Sequence, residues 1–195
     1  MESLIHIQKT FEKVTYIDKK INNREFEDCV FKNCVFKNCD FSNSNFAYNT
    51  FLDCEFIDCN LSMTSLFSTS LKNVTFKNCK LLGIAFNECD DFLFQVYFED
   101  STLDYAAFSN KKMPKTKFIN SSLREVTFIG CNLTSSLFDN CNLEGAIFND
   151  TQLASTDFRT AYNYKIDPEF NPMRKAQFST QGITGLLDKY DIKIV

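Results

Sequence analysis

Nine cysteines and one histidine, His6, are the residues of this 195-residue chain whose chemistry would matter most if they converged. Cysteines in such number raise disulfides, a zinc site or a reactive thiol. Their spacing points elsewhere. Cys29, Cys34, Cys39, Cys54, Cys59, Cys79, Cys89, Cys131 and Cys141 each fall three residues after a phenylalanine. That regularity marks them as the small inward residues of a repeat, acting as small hydrophobes. Cysteines stacked on successive coils would sit about 4.8 Å apart, wider than disulfide Cβ atoms favour. His6 lies ahead of the repeats and has no ligand partners in sequence. Free thiols in this number fit a reducing, cytoplasmic compartment.

No other constellation carries chemistry. No nucleophile has a partner histidine, no glycine-rich loop could cradle a phosphate, and no metal-ligand set is present. The chain is therefore read as a non-enzyme that needs no cofactor, with its carboxylates at solvated outward positions. Its start, Met1 to Lys9, has no basic region followed by an apolar run, and no stretch approaches a membrane span. A soluble, intracellular protein is expected.

The elements that position these residues follow from a period of five. From Phe26 a large apolar residue returns at Phe31, Phe36, Phe41, Phe46, Phe51, Phe56 and Leu61. Five residues match neither the helical nor the strand period, so an unbent element would rotate each such side chain out of the core. Bending the chain once per repeat keeps every central residue inward, and the product is a β-solenoid. A first register runs from Phe11, Tyr16 and Ile21 through Phe26 to Phe86, its opening pentads disturbed by Lys9, Lys19 and Arg24. After a two-residue step at Glu88–Phe92 a second register runs from Leu93 to Phe158. Together they hold 30 centres, and 21 of these are followed two places later by Asn, Asp, Gly or Ser, residues suited to a corner. Seventeen of the 22 phenylalanines are centres. The expected phenylalanine core is Phe26, Phe31, Phe36, Phe41, Phe46, Phe51, Phe56, Phe76, Phe86, Phe98, Phe108, Phe118, Phe128, Phe138, Phe148 and Phe158. In the second register Phe and Leu alternate, broken only at Met113.

The run Phe31-Lys32-Asn33-Cys34-Val35, repeated as Phe36-Lys37-Asn38-Cys39-Asp40, resembles the pentapeptide repeat family, and the likeness extends over residues 11–160. It implies an all-β, right-handed quadrilateral β-helix with four pentads per coil, preceded by an N-terminal cap or leading strand at 1–10. Four sides with alternating Phe and Leu would place like residues on opposite sides. After Ala161 a turn at Ile166-Asp167-Pro168 is expected to lead into a short C-terminal α-helix capped by Ser179 or Thr180, then a strand-like Ile192–Val195. This tail resembles the end of the quinolone-resistance (Qnr-type) and microcin-immunity members. The resemblance implies a homodimer through Phe178, Ile183, Leu186, Leu187, Tyr190, Ile192 and Ile194; the alternative is that the apolar stripe caps its own coil.

In those relatives the resemblance implies a DNA-mimicking rod that binds a type II topoisomerase, DNA gyrase or topoisomerase IV, and modulates it or protects it from quinolones or toxins. The formal net charge is only −4, but its distribution is uneven: residues 81–110 carry six acids and no base, and 111–125 carry five bases and one acid. The contact candidates are therefore Glu88, Asp90, Asp91, Glu99, Asp100 and Asp104, with Lys111, Lys112 and Lys115 in a neighbouring segment expected to bulge outward because buried lysine is costly. These acids should wrap the rod rather than line one side. The chain departs from Qnr-type members in having no long loops leaving the coil. The alternative function is a β-helical scaffold for an unrelated protein. Direct nucleic-acid binding is not expected, since bases and acids are interleaved.

Overall fold

The computed structural model describes residues 6–20, 26–190 and 192–193. Ile21 and Arg24 of the first register, Ile194 of the tail and residues 1–5 lie outside the described residues. The chain is a four-sided β-helix. Parallel pairs join Phe11 to Phe31, Tyr16 to Phe36 and His6 to Phe26, a spacing of twenty residues that makes each coil four pentads. We name the sides by their centres: side A holds Phe11, Phe31, Phe51 and Leu71; side B holds Tyr16, Phe36, Phe56 and Phe76. Side C holds Phe41, Leu61 and Leu81; side D holds Phe26, Phe46, Leu66 and Phe86. Side B carries a ladder of nine strands, from Thr15–Ile17 to Gln177–Phe178, and side A one of four, from Thr10–Glu12 to Ser70–Lys72. On side C single bridges run from Lys20 to Tyr162, and side D has bridges such as Ala85 to Ala107 and Thr127 to Ile147.

The periodic reading holds through most of this rod. All sixteen core phenylalanines are buried. The corners adopt the left-handed conformation at the expected place, two residues past the centre: Asn33, Asn38, Asn43, Asp53 and Asp58 lie at φ between 52° and 57°. Asn side chains there also bridge coils, with Asn38 Nδ2 donating to Asp18 Oδ1 (2.6 Å) and Asn78 Nδ2 to Asp58 Oδ1 (2.7 Å). In the second register the phenylalanines occupy the opposite sides B and D. Their rings stack along the axis, as Phe118 on Phe138 at 4.7 Å, and meet edge to face across it, as Phe118 with Phe128 at 5.9 Å.

The small inward residue has a role beyond filling space. Where it is Cys, Ser, Thr or Asn, its side chain can donate to the carbonyl of the centre 23 residues earlier, on the coil below. Thr64 Oγ1 reaches Phe41 O at 2.7 Å, Asn49 Nδ2 reaches Phe26 O at 3.2 Å and Asn171 Nδ2 reaches Phe148 O at 3.1 Å. Thiols do the same: Cys54 to Phe31 O (3.4 Å), Cys59 to Phe36 O (3.3 Å), Cys131 to Phe108 O (3.0 Å) and Cys141 to Phe118 O (3.3 Å). The cysteines are thus weak donors as well as small hydrophobes. All nine are buried and unpaired in disulfides.

Both ends differ from expectation. The backbone at His6 belongs to the first coil rather than lying ahead of it, because the strand His6–Ile7 already pairs with Phe26–Glu27. The coil also continues past residue 160, with Phe158 paired to Phe178 and Ser155 N donating to Arg174 O at 2.9 Å. Among the described residues the tail has no α-helix and forms two 3₁₀ segments, Gly182–Leu186 and Asp188–Tyr190. The N-cap position is Gln181, which gives no side-chain cap, although Ser179 Oγ accepts from Gly182 N at 3.0 Å. Gly182 and Gly185 disfavour α-helix and lie directly against Tyr164, where an added Cβ would collide. Ile166 N takes the Gly185 carbonyl at 3.0 Å, diverting it from a helical partner.

Burial pushes the thiols of Cys54 and Cys141 up to about 12 and that of Cys131 to about 11. Unfolded thiols ionise near about 8.5, so the folded state holds protons that the unfolded state releases above that pH. The stabilisation is complete below about pH 8.5 and is lost as pH rises toward the folded values. The melting temperature should fall through this alkaline window, and a Cys54→Ser/Cys141→Ser variant should show a shallower fall. Maleimide at pH 8 should label the native protein at none of its thiols; rapid labelling without unfolding would contradict the inward placement.

Candidate interaction surface

The register step is where the sequence-derived contact residues gather, and its geometry decides which of them a partner could reach. Across it the pairing interval becomes 22, as in Phe76 with Phe98 and Ala85 with Ala107. The two extra residues sit on side A. Asp91 to Phe94 forms a turn closed by Phe94 N on Asp91 O at 3.3 Å. Leu93, expected to be the first centre of the second register, instead stands at the turn's outer corner with φ of 59° and is 65% exposed. Phe94 enters the core in its place, 6% exposed. Phe92 projects from the bulge, with Lys72 Nζ 5.0 Å from its ring centroid.

Lys111 closes the gap that this bulge leaves. It lies twenty residues after Asp91, one coil on, at the small inward position before Met113. Its stem is buried, and its ammonium donates to the Cys89 carbonyl and to Asp91 Oδ1 at 2.6 Å. The Phe94 ring centroid lies 5.2 Å from Nζ. The segment Lys111–Lys117 therefore does not bulge outward: Met113, Thr116 and Phe118 are all buried. The bulge is one coil earlier, and Lys111 is its internal clamp, closed to a partner.

Asp104 is likewise withdrawn. It is buried at 1% exposure and held by Arg124 Nε at 2.9 Å, Arg124 Nη2 at 2.6 Å and Ser122 Oγ at 2.5 Å. The remaining candidates are on the surface but are dispersed. Glu88 stands at the corner between sides D and A, and Asp90 on side A accepts from Ser70 Oγ at 2.6 Å. Glu99 on side B pairs with Lys77 at 3.0 Å, and Asp100 at the next corner accepts from Asn120 Nδ2 at 3.1 Å. Lys112 and Lys115 are exposed on side A. The acids do wrap the rod, and three of the six, Asp91, Glu99 and Asp104, are neutralised by bases one coil away.

At the other end the tail lies against its own coil. Phe178 stacks on Phe158 at 5.3 Å, and Leu186 packs against the core. Lys189 Nζ bonds Asp167 and Glu169, each at 2.8 Å, and Lys165 Nζ bonds Asp188 at 3.1 Å. Leu187 is half-buried, whereas Ile183, Tyr190 and Ile192 are exposed. An open groove of about 860 Å³ runs between tail and coil, lined by residues including Tyr162, Lys165, Thr184, Leu187 and Ile192.

Among the described residues no cluster of His, Cys, Asp and Glu could hold a metal ion, and no helix is long and apolar enough to cross a membrane. Family comparison agrees with the coil. Residues 29–108 match the pentapeptide repeat region, and residues 128–161 match pentapeptide repeats (8 copies). The chain belongs to the pentapeptide repeat family. No curated protein matches it. Among solved structures it is similar to QnrB1, a plasmid-mediated fluoroquinolone resistance protein, at TM-score 0.61 and 16% identity, covering 94% of this chain and 100% of that one. It is also similar to HetL, a pentapeptide repeat protein involved in heterocyst differentiation regulation from the cyanobacterium Nostoc sp. strain PCC 7120. That match has a TM-score of 0.54 at 12% identity, over 93% of this chain and 91% of HetL. At such identities the likeness is one of fold.

Replacing Lys111 by Met keeps the stem volume and removes the ammonium, leaving the buried Cys89 carbonyl without this donor. The loss should cost about 2 kcal/mol, read as a lower denaturation midpoint, with new proteolysis at Asp91–Leu93. An unchanged midpoint would mean that the bulge holds itself.

Proposed function

We propose that this member of the family is a non-enzymatic rod that binds a type II topoisomerase, DNA gyrase or topoisomerase IV, and modulates it or protects it from quinolones or toxins. The observation that carries this reading is the likeness to QnrB1, which spans that whole chain and nearly all of this one. The physical character of the rod fits. Its interior is filled by side chains and its outward positions form continuous sides, so it presents surface rather than a catalytic cleft. Of the contact candidates near the step, Glu88, Asp90, Asp91, Asp100, Lys112 and Lys115 are still exposed, with Glu99 half-buried beside them, and Glu88 alone among them borders side D. If the rod imitates a DNA duplex, its unneutralised carboxylates must supply the resemblance by electrostatic complementarity.

The deciding assay is gyrase supercoiling with the purified protein titrated in, with and without a fluoroquinolone, repeated with topoisomerase IV. Inhibition of supercoiling, or relief of drug-stabilised cleavage, is the expected result, and mimicry adds binding that weakens with salt and competes with DNA. No effect on either enzyme would overturn the reading.

The same reading makes the protein a homodimer joined through its tails. Phe178 and Leu186 are engaged with the chain's own core, which leaves Ile183, Tyr190 and Ile192 as the seam. Light scattering should give twice the chain mass, and Ile183→Asp should halve it without lowering thermal stability. A monomeric parent protein would sink the seam.

A further inference from the structure

Sorting the surface by side, rather than by position along the chain, separates one side from the other three. Outward positions on side A include Lys32, Lys72 and Lys112; side B has Lys37, Lys77 and Lys117; side C has Lys80 and Arg124. Among the described residues, the outward positions of side D and of both its corners carry no Lys or Arg from Glu27 to Asp150. Among small polar residues such as Asn45, Ser65, Ser109 and Asn149 they carry exposed apolar groups: Tyr48 (55% exposed), Met63 (62%), Phe67 (48%), Tyr105 (65%), Ile129 (38%) and Ile147 (47%). Tyr48 and Phe67 touch edge to face at 5.6 Å, forming a fixed aromatic step. Small residues, Ala85 and Ala107 among them, keep the side flat between these groups. Six steps of about 4.8 Å make this strip roughly 29 Å long.

Acids border the strip. Glu27, Asp28, Glu88, Glu125 and Asp150 lie on it or at its corners, and none forms an ion pair among the described residues. The paired acids of the register step, Asp91, Glu99 and Asp104, belong to the other sides. An apolar strip bordered by unpaired carboxylates and lacking cations has a defined complement. A second copy would set acid against acid with no base to offset them, and nucleic acid or an anionic membrane would meet the same repulsion. We propose that side D is a docking face for a protein surface that presents apolar side chains flanked by lysine or arginine. This rests on the reading of the chain as a protein-binding rod and adds which side binds. Apolar contact would supply the affinity, and the bordering acids the orientation.

The test compares matched substitutions in the full chain. Phe67→Lys/Ile129→Lys alters side D, and Ile17→Lys/Ile119→Lys alters the corresponding outward positions of side B. Circular dichroism and melting check that both variants fold. With purified gyrase as the probe, the side D variant should bind at least tenfold more weakly and the side B variant within twofold of the parent. Undiminished binding by the side D variant, or equal loss in both, would overturn the assignment. Should the parent bind neither gyrase nor topoisomerase IV, the topoisomerase reading fails while the face stays testable. Photo-crosslinking p-benzoylphenylalanine is then placed at 67 and 129, or at 17 and 119, in soluble extract of the producing cells. Adducts confined to side D and mapping to peptides rich in Lys or Arg would sustain the face; adducts from side B, or none from side D, would refute it.

Discussion

The rod depends on how each coil satisfies the central carbonyls of the coil beneath it. A strand ladder on four short sides cannot pair every peptide group, because the chain turns through a left-handed corner every five residues. The carbonyl of the central residue is met either by a side chain from above, as by Thr64 on Phe41, Asn49 on Phe26 and Cys54 on Phe31, or by the backbone N–H three residues on, as by Ala106 on Leu103 and Ala146 on Leu143. This requirement selects residues that are at once small and able to donate. It accounts for the Cys, Ser, Thr and Asn of the inward column, which stand beside the purely space-filling Ile84, Ala106, Val126 and Ala146. A thiol is the weakest donor of the set but the most comfortable in an apolar interior. On side B, where apolar Val74 and Val96 occupy the column, the strands Val74–Lys77 and Val96–Glu99 lengthen to four residues and pair directly.

The same constraint explains how a two-residue insertion is absorbed. Disorder in one side would propagate if the next coil could not find its carbonyls, yet side B pairs without interruption from Phe76 to Phe98 to Phe118. The bulge is confined because Lys111 carries a donor on a long stem, reaching the Cys89 carbonyl that an ordinary small residue would miss. Its charge is offset by Asp91, which the bulge itself supplies. A buried lysine is unfavourable in isolation; here the insertion provides both the space and the counter-charge.

Period alone made the core, the corners and the opposed phenylalanine sides legible, since each depends only on position within the pentad. It failed where a residue's fate was decided one coil away. Leu93 and Phe94 are both apolar, and which enters the core depends on the turn beginning at Asp91 and on a lysine twenty residues later. Asp104 looked like solvated surface in its own pentad, but Arg124 is its neighbour once twenty residues are known to make a coil. Residues twenty apart, or 22 across the step, are in contact. In the tail the apolar stripe suggested a helix, and Gly182 and Gly185, packed on Tyr164, enforced tighter turns.

Inward positions are so heavily constrained by packing and by carbonyl satisfaction that they record the family and little else. Outward positions answer to solvent or to a partner, and they are where one member can differ from another. QnrB1 and HetL share this coil at 16% and 12% identity while bearing different named roles, so the coil itself cannot carry either role. The electrostatics of this chain make the same point locally. Read along the sequence, the acids of residues 81–110 form a conspicuous belt. Folded, half of them are cancelled by bases from the neighbouring coil, and of the other three only Glu88 borders the apolar strip of side D. A partner meets sides of the rod rather than windows of the sequence, so the sum over each side is the quantity that recognition can act upon.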